Sequence, residues 1–408
     1  MRLRSFSSFG LVLLLSSFQA VRLPGQAVLN PSPVIRAVAS TTTQMPGQSY
    51  NFTDFHSACI DGGRVAFNGG NFLFADGIYY HAGVQLSRVV DTTMQVPSLT
   101  SPVPFVGLST ASLAGTRVAF LGASNSGAID YEGIWIWQSG SMQVVVEKGD
   151  PSPNVSGGIF FFLFPPSLGR TEVVWNGYVA APGQDVRGIH SSAGGVHTLV
   201  DTSDSIPGTG TSFGDFSFNP TVDSRLAFLG GVQPGDFDGV FVFDSALPIG
   251  QQLAVVADLT STVPGTGLTF TAFFDGATAR NGEVAFRGRS GSLIGVYSTL
   301  NGLHTVADTN TIIPGRSQPF TGFNQFSQHG PALDRNGDVA FVGEGAGGLR
   351  GIYAERGGVL RAVVETGDIV NGHVVSTVDL GREGLDGGSV VFVLRFADTS
   401  SGVFVQKL

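Results

Sequence analysis

Asp334-Arg335-Asn336-Gly337-Asp338-Val339-Ala340-Phe341, followed by Gly351-Ile352-Tyr353 and then Val363-Val364-Glu365, is one copy of a pattern that fills the chain. The Val-Ala-Phe-like triplet also stands at Val65-Ala66-Phe67, Val118-Ala119-Phe120, Val173-Val174-Trp175, Leu226-Ala227-Phe228, Val284-Ala285-Phe286 and Val390-Val391-Phe392. The seven copies follow one another at 53, 55, 53, 58, 55 and 51 residues. A period of this length marks a repeat architecture, and it is the first thing to settle in a glycine-rich chain. Each triplet leads to a Gly-Ile-Tyr-like run, from Gly77-Ile78-Tyr79 to Gly402-Val403-Phe404. A Val-Val-Asp-like run comes next, first at Val89-Val90-Asp91 and last at Val363-Val364-Glu365. Upstream of each triplet lies one more short apolar stretch, such as Ser57-Ala58-Cys59-Ile60, set off by turns such as Asn281-Gly282 and Asn336-Gly337, strong hairpin signals. Each unit therefore holds four short strands, A to D.

Six copies carry all four strands, and the chain stops before the seventh gains its strand D. The missing strand is at the other end: Ile35-Arg36-Ala37-Val38-Ala39 has strand D character and is followed by the same Pro-Gly loop, at Pro46-Gly47. One N-terminal strand completing three C-terminal strands is the closure of a seven-bladed β-propeller with four strands per blade. A β-solenoid or a row of tandem sandwiches is the alternative, but neither needs its two ends to complement each other. The all-β propeller is the expected fold.

Composition agrees. Of 408 residues 58 are Gly and 32 Phe, with 42% hydrophobic and 13% charged, which excludes disorder and coiled coil. Residues 1–27 carry Arg2 and Arg4, an apolar run around Leu11-Val12-Leu13-Leu14-Leu15, and Gly25-Gln26-Ala27, the plan of a cleavable signal peptide. The mature chain, 28–408, is expected to be a single propeller domain, secreted or periplasmic, without a transmembrane anchor. Loss of Arg2, Arg4 and Arg22 takes the net charge from −9 to about −12, which disfavours nucleic acid. Cys59 is the single cysteine, so no internal disulfide forms, and it reads as a small buried hydrophobe.

The blades resemble TolB-type propeller repeats. More closely, Gly282 to Phe286 and Gly337 to Phe341, with the loops Pro207 to Gly210 and Pro264 to Gly267, resemble an exported bacterial tandem-repeat family. That family is named for its Asn-x-x-Gly-x-x-Ala-Phe signature. In the two cleanest copies Ala279 and Asp334 stand in place of its Asn. The resemblance implies an exported repeat protein and carries no chemistry with it.

If the strands run A to D from axis to rim, the B-to-C and D-to-A loops share one face, and these are the long ones, such as Leu121 to Gly133 and Asp201 to Phe218. Function on a repeat scaffold gathers on such a face. The acids closing strand D (Asp91, Glu147, Asp201, Asp258, Asp308, Glu365) stand three strand spacings of about 4.8 Å from the axial strand. They are too far apart to share an ion and are expected to hold the turns that follow them. Asp334 to Gly345 fails as an EF-hand, with Val339 at its sixth position and Gly345 at its twelfth. No metal site and no cofactor are expected. Calcium is the one ion for which loop acids such as Asp150, Asp236 and Asp238 offer ligands, too few at each place. His56, Asp275, His329 and Arg382, at the upper end of strand A, are the candidate ligand-binding residues at the channel mouth. The Phe pairs Phe213/Phe216, Phe270/Phe273 and Phe320/Phe323 are expected to plug the gaps between blades.

No nucleophile elbow and no repeated acid, base or nucleophile emerges. The expected function is a non-catalytic binding module acting through the long-loop face on a protein or an extracellular polysaccharide. The alternatives are a hydrolase or lyase of polysaccharide or ester substrates at the channel mouth, and a structural surface or matrix component.

Overall fold

The glycines that punctuate the repeat become intelligible once the blades are seen in section. A computed structural model describes residues 34–71, 75–99, 103–126, 129–323 and 330–408, and among these the strands form seven antiparallel sheets around a common axis. Blade 1 is the simplest, with strands A (Asp54–Asp61), B (Arg64–Asn71), C (Ala75–His81) and D (Leu86–Asp91) in that order. Blade 7 takes A (His373–Asp379 and Leu385–Asp386), B (Ser389–Phe396) and C (Ser401–Lys407) from the C-terminal end and D (Arg36–Ser40) from the N-terminal end. Arg36 pairs with Val405 and Ser40 with Gly402. The seven-bladed propeller read from the repeat is the fold.

Inside blades 1, 2, 4, 5 and 6 the triplet aromatic, the third residue of the Gly-Ile-Tyr run and the D-to-A loop Phe pack as one cluster. In blade 5 Phe270, Phe286 and Tyr297 have centroids 5.0–6.0 Å apart. A Cβ on Gly288 would lie 2.8 Å from the Phe270 ring, and Gly122, Gly230 and Gly343 stand in the same relation to Phe105, Phe213 and Phe320, so in these blades the glycine two residues beyond the triplet aromatic is space left for that ring. The expected plugs are buried: Phe213, Phe216, Phe270, Phe273, Phe320 and Phe323 are all at most 4% exposed. Apolar clusters cross from blade to blade, and one joins Val391, Val393 and Val403 of blade 7 and Ala39 to Phe55, Phe67 and Tyr79 of blade 1. Closure of the ring is therefore a packing event as well as a strand pairing.

Strand D is bulged at one equivalent position in all seven blades. The pairing with strand C passes over Val38, Val89, Val145, Leu199, Val256, Val306 and Val363, the residue two before the closing acid or its equivalent. Such a bulge raises the local twist and leads the chain into the D-to-A loop. There Asp91, Asp201, Asp258 and Asp308 accept the backbone N–H two residues on (Thr93, Ser203, Thr260, Asn310) at 2.8–3.0 Å. Glu147 and Glu365 instead accept the hydroxyls of Tyr131 and Tyr353 at 2.6 and 2.7 Å.

One expected loop is strand. In blade 2, B extends over Arg117–Ser126 and C begins at Ile129, so most of Leu121 to Gly133 is a hairpin. Its polar residues concealed the pairing: Ser124 is buried and donates to Pro104 O at 2.7 Å, and Tyr131 is buried against Glu147.

Candidate functional site

Strand A of blade 7 breaks between Asp379 and Leu385, and the break supplies the centre of the molecule. A Cβ on Gly381 would collide with the Ala58 carbonyl of blade 1, so only glycine lets the segment approach the axis. The next two residues reach across it. Arg382, 4% exposed, donates to Pro220 O at 3.3 Å and to Pro166 O, ahead of the inner strand A segments of blades 4 (Thr221–Val222) and 3 (Ser167–Leu168). Glu383, 5% exposed, accepts Ser112 Oγ at 2.7 Å, Leu113 N at 3.2 Å and Ser167 Oγ at 3.1 Å, while its own carbonyl accepts Ile60 N. A carboxylate this deep needs such partners. The Arg382-Glu383 pair thus ties blades 7, 1, 2, 3 and 4 together at the axis.

A second layer closes the axis at the A-to-B turns. Arg335 lies 3.0 Å from Asp61, 3.6 Å from Asp223 and 3.6 Å from Asp386, and Arg280 lies 3.9 and 3.7 Å from Asp61 and Asp223. The acids also clasp the backbone of the following blade: Asp61 accepts Gly115 N, Asp223 accepts Asn281 N, Asp334 accepts Gly388 N and Asp386 accepts Gly62 N. Sequence reasoning missed this layer because each member reads as an ordinary turn residue. A signal was available: Asp61, Arg280, Arg335 and Asp386 all stand four residues before their triplet.

The long-loop face is arranged differently on its two sides. On the blade 1 side, His56 sits on a bulge of strand A that the pairing with strand B passes over between Phe55 and Ser57, half exposed, with Nδ1 3.7 Å from Asp54. Arg395 of blade 7 meets Asp54 at 3.2 Å and donates to Phe55 O at 2.7 Å. Burial lifts Asp76 and Asp379 above the usual carboxylate range, against the pull of His56 on the first and of Arg350 and Arg395 on the second. Asp275 falls in strand A of blade 5 (Ala272–Arg280), between Phe274 and Thr278, where the pairing with strand B shifts. His329 lies outside the described residues. Of the four candidates, His56 is at the rim among acids, while Arg382 is committed to carbonyls inside the axis.

Across the mouth, blades 3 and 4 present aromatic rings. Phe161, Phe162 and Phe218 are 54%, 41% and 36% exposed. Phe164 stacks on Phe218 at 4.6 Å and lies 5.5 Å from Phe162 and 5.3 Å from Tyr178. Phe161 sits on the bulge of strand A (Ile159–Leu163) of blade 3, passed over between Phe160 and Phe162. Among the described residues, no three His, Cys, Asp or Glu gather as a metal site would require. No helix there is long and apolar enough to cross a membrane.

Residues 30–408 match a family described as being of unknown function, DUF7453. The chain belongs to that family. No curated protein is similar enough to match it. Among solved structures, the DUF7453 chain is similar to a puromycin-hydrolyzing peptidase of Mycobacterium tuberculosis, with 13% identity, TM-score 0.47 and 84% of this chain on 50% of that one. It is also similar to the β-propeller domain of the trilobed protease of Pyrococcus furiosus, with 12% identity, TM-score 0.36 and coverage of 79% and 97%. A third is the polysaccharide lyase Uly1, with 12% identity, TM-score 0.45 and coverage of 90% and 94%. The chain spans half the length of the peptidase. At these identities the likeness is one of fold. What the DUF7453 site can do rests on its own residues: the axial polar groups are engaged with one another and with the blades, and the rim is where side chains meet solvent.

Proposed function

We propose that this protein is an exported binding module that takes its ligand on the long-loop face, at the rim of a closed axis. One observation carries the reading. The charged groups of the axis are already partnered by neighbouring blades, whereas Phe161, Phe162 and Phe218 on the long-loop face are 36–54% exposed and lie outside the blade cores. Exposed contiguous apolar surface of this kind marks interaction sites. The signal-like residues 1–27 and the resemblance to exported repeat proteins support export. Export is tested by sequencing the N-terminus of the protein recovered outside the cytoplasm, which should begin at Val28. The binding test compares Phe162→Ala with His304→Ala, the first residue of strand D of blade 5, at the C-to-D turn on the opposite face. Affinity for a protein or polysaccharide ligand should fall in the first variant only; loss confined to the second would overturn the reading.

A second reading, a hydrolase or lyase of polysaccharide or ester substrates, has one observation in its favour. His56, Asp54, Asp76, Asp379 and Arg395 collect at one side of the mouth, with two carboxyl groups held toward their neutral form by burial. Carboxyl groups so perturbed suit proton transfer. That reading requires turnover that disappears in His56→Ala and in Asp379→Asn.

A further inference from the structure

We infer that the aromatic rim of blades 3 and 4 is a subsite for a neutral glycan chain; the inference rests on the binding-module reading and assigns its ligand class. Phe162, Phe164, Tyr178 and Phe218 form a continuous run of rings across the seam between two blades, with neighbouring centroids 4.6–6.4 Å apart. Phenylalanines near the start of strand A in blades 4, 5 and 6 turn inward and fill the blade core, as Phe216, Phe273 and Phe323 do. In blade 3 Leu163 takes that inward place and Phe160 takes the one that Phe213, Phe270 and Phe320 hold in blades 4, 5 and 6, so Phe161 and Phe162 are surplus to the core packing. Their exposure is therefore a property of the rim and not of the repeat.

The margins of this run decide what it accepts. Lys148 lies over the Phe161 ring at 5.2 Å and is paired with Asp130 at 2.5 Å. Arg187 lies over the Tyr178 ring at 4.5 Å and is paired with Asp215 at 2.8 Å. A lipid or an apolar protein face laid on the rings would strip water from both ion pairs and give no hydrogen bonds in return, which is costly. A pyranose presents C–H groups on its face and hydroxyls around its edge, so the rings receive the first while the paired charges keep hydrogen bonds to the second. Both cations already carry a carboxylate, and Glu132 adds another where its Oε2 accepts Leu163 N at 3.3 Å. Among the described residues, Lys148 and Arg187 at the margins of this run are matched by Asp130, Asp215 and Glu132, leaving no cationic excess there to attract uronate or sulfate groups, and the whole chain is anionic.

The test is affinity electrophoresis of the full exported chain in gels containing glucomannan, xyloglucan or laminarin (neutral) or alginate or polygalacturonate (anionic). It is run beside Phe162→Ala, Phe218→Ala, Leu268→Ser on another loop of the same face, and His304→Ala on the opposite face. At least one neutral polymer should retard the chain and the anionic ones should not. Each Phe variant should weaken retention by about tenfold or more, as loss of an aromatic contact of this size implies, while Leu268→Ser and His304→Ala retain it. The two Phe side chains are partly exposed, and unchanged thermal midpoints confirm that the variants fold. Binding to anionic polymers alone, no binding to any of the polymers, or neutral binding indifferent to both Phe variants overturns the inference. If Leu268→Ser abolishes binding while the Phe variants keep it, the subsite falls and the long-loop face stands. If only His304→Ala abolishes it, both fall.

Discussion

His190 stands where the other blades carry Tyr79, Trp135, Phe241, Tyr297, Tyr353 and Phe404, and it packs edge-on against Phe160 at 4.9 Å. It is 2% exposed, with Nδ1 3.0 Å from Thr198 Oγ1, and burial pushes its pKa down from 6.5 to about 3. The unfolded chain takes up this proton below about pH 6.5 and the folded chain does not, so stability is lost as pH falls from there toward 3. The slope from this one group is about 1.4 kcal/mol per pH unit. His190→Phe should flatten that part of the profile, measured as the urea midpoint between pH 7 and pH 4.5. Arg335 makes the opposite case, a charge whose removal leaves others exposed to one another. Arg335→Met leaves Asp61, Asp223 and Asp386 with less compensation and should lower stability by about 2–4 kcal/mol, read from the same urea transition. Neither role was legible residue by residue. His190 was visible as a seventh aromatic position, but Arg335 faces partners 51 to 274 positions away, and only the ring brings them to one place.

Strand A is the least regular element, and its irregularity is where the blades are joined. In blades 2, 3 and 4 it is split into short segments: Gly107–Leu108 with Ser112–Ala114, Ile159–Leu163 with Ser167–Leu168, and Asp215–Phe216 with Thr221–Val222. In blades 2 and 4 the residue after the triplet of the preceding blade bridges the gap. Asn68 donates to Ser109 O at 2.8 Å and accepts Ala111 N at 3.1 Å, and Asn176 donates to Ser217 O at 2.9 Å. Arg287, after the triplet of blade 5, donates to Phe323 O at 2.8 Å. Asn68→Leu should destabilise by about 2–4 kcal/mol, since a buried N–H and a carbonyl lose their partner together. Asn68→Asp should recover part of that through the Ala111 N–H alone; differential scanning calorimetry distinguishes the two. Strands B and C were legible because they are buried on both faces and carry the triplet and the Gly-Ile-Tyr run. Strand A was not, because two-residue pieces have no period to read. The interrupted stretch that carries Arg382 and Glu383 looks in sequence like any glycine-containing turn.

At the level of the whole ring, the closure inferred from unmatched ends is what the structure shows, and it makes a direct test. A chain starting at Thr41 lacks strand D of blade 7, leaves the edge of Ser401–Lys407 unpaired and uncovers Val403. Such a chain should unfold at a lower urea concentration and aggregate through its open edge. A synthetic peptide of residues 34–41 should restore both properties, and failure of the peptide to do so would mean that strand D is not the closure. The same strand fixes a direction for the molecule. Strand C of blade 7 runs down to Leu408 at the A-to-B turn side, and Arg36 pairs with Val405 there, so strand D starts its climb from that same side. Anything coupled ahead of Val34 or behind Leu408 therefore departs from the underside of the disc. A bead, a fused partner or a surface joined at either terminus holds the disc with its rings and His56 facing outward, and display through one end or the other is equivalent.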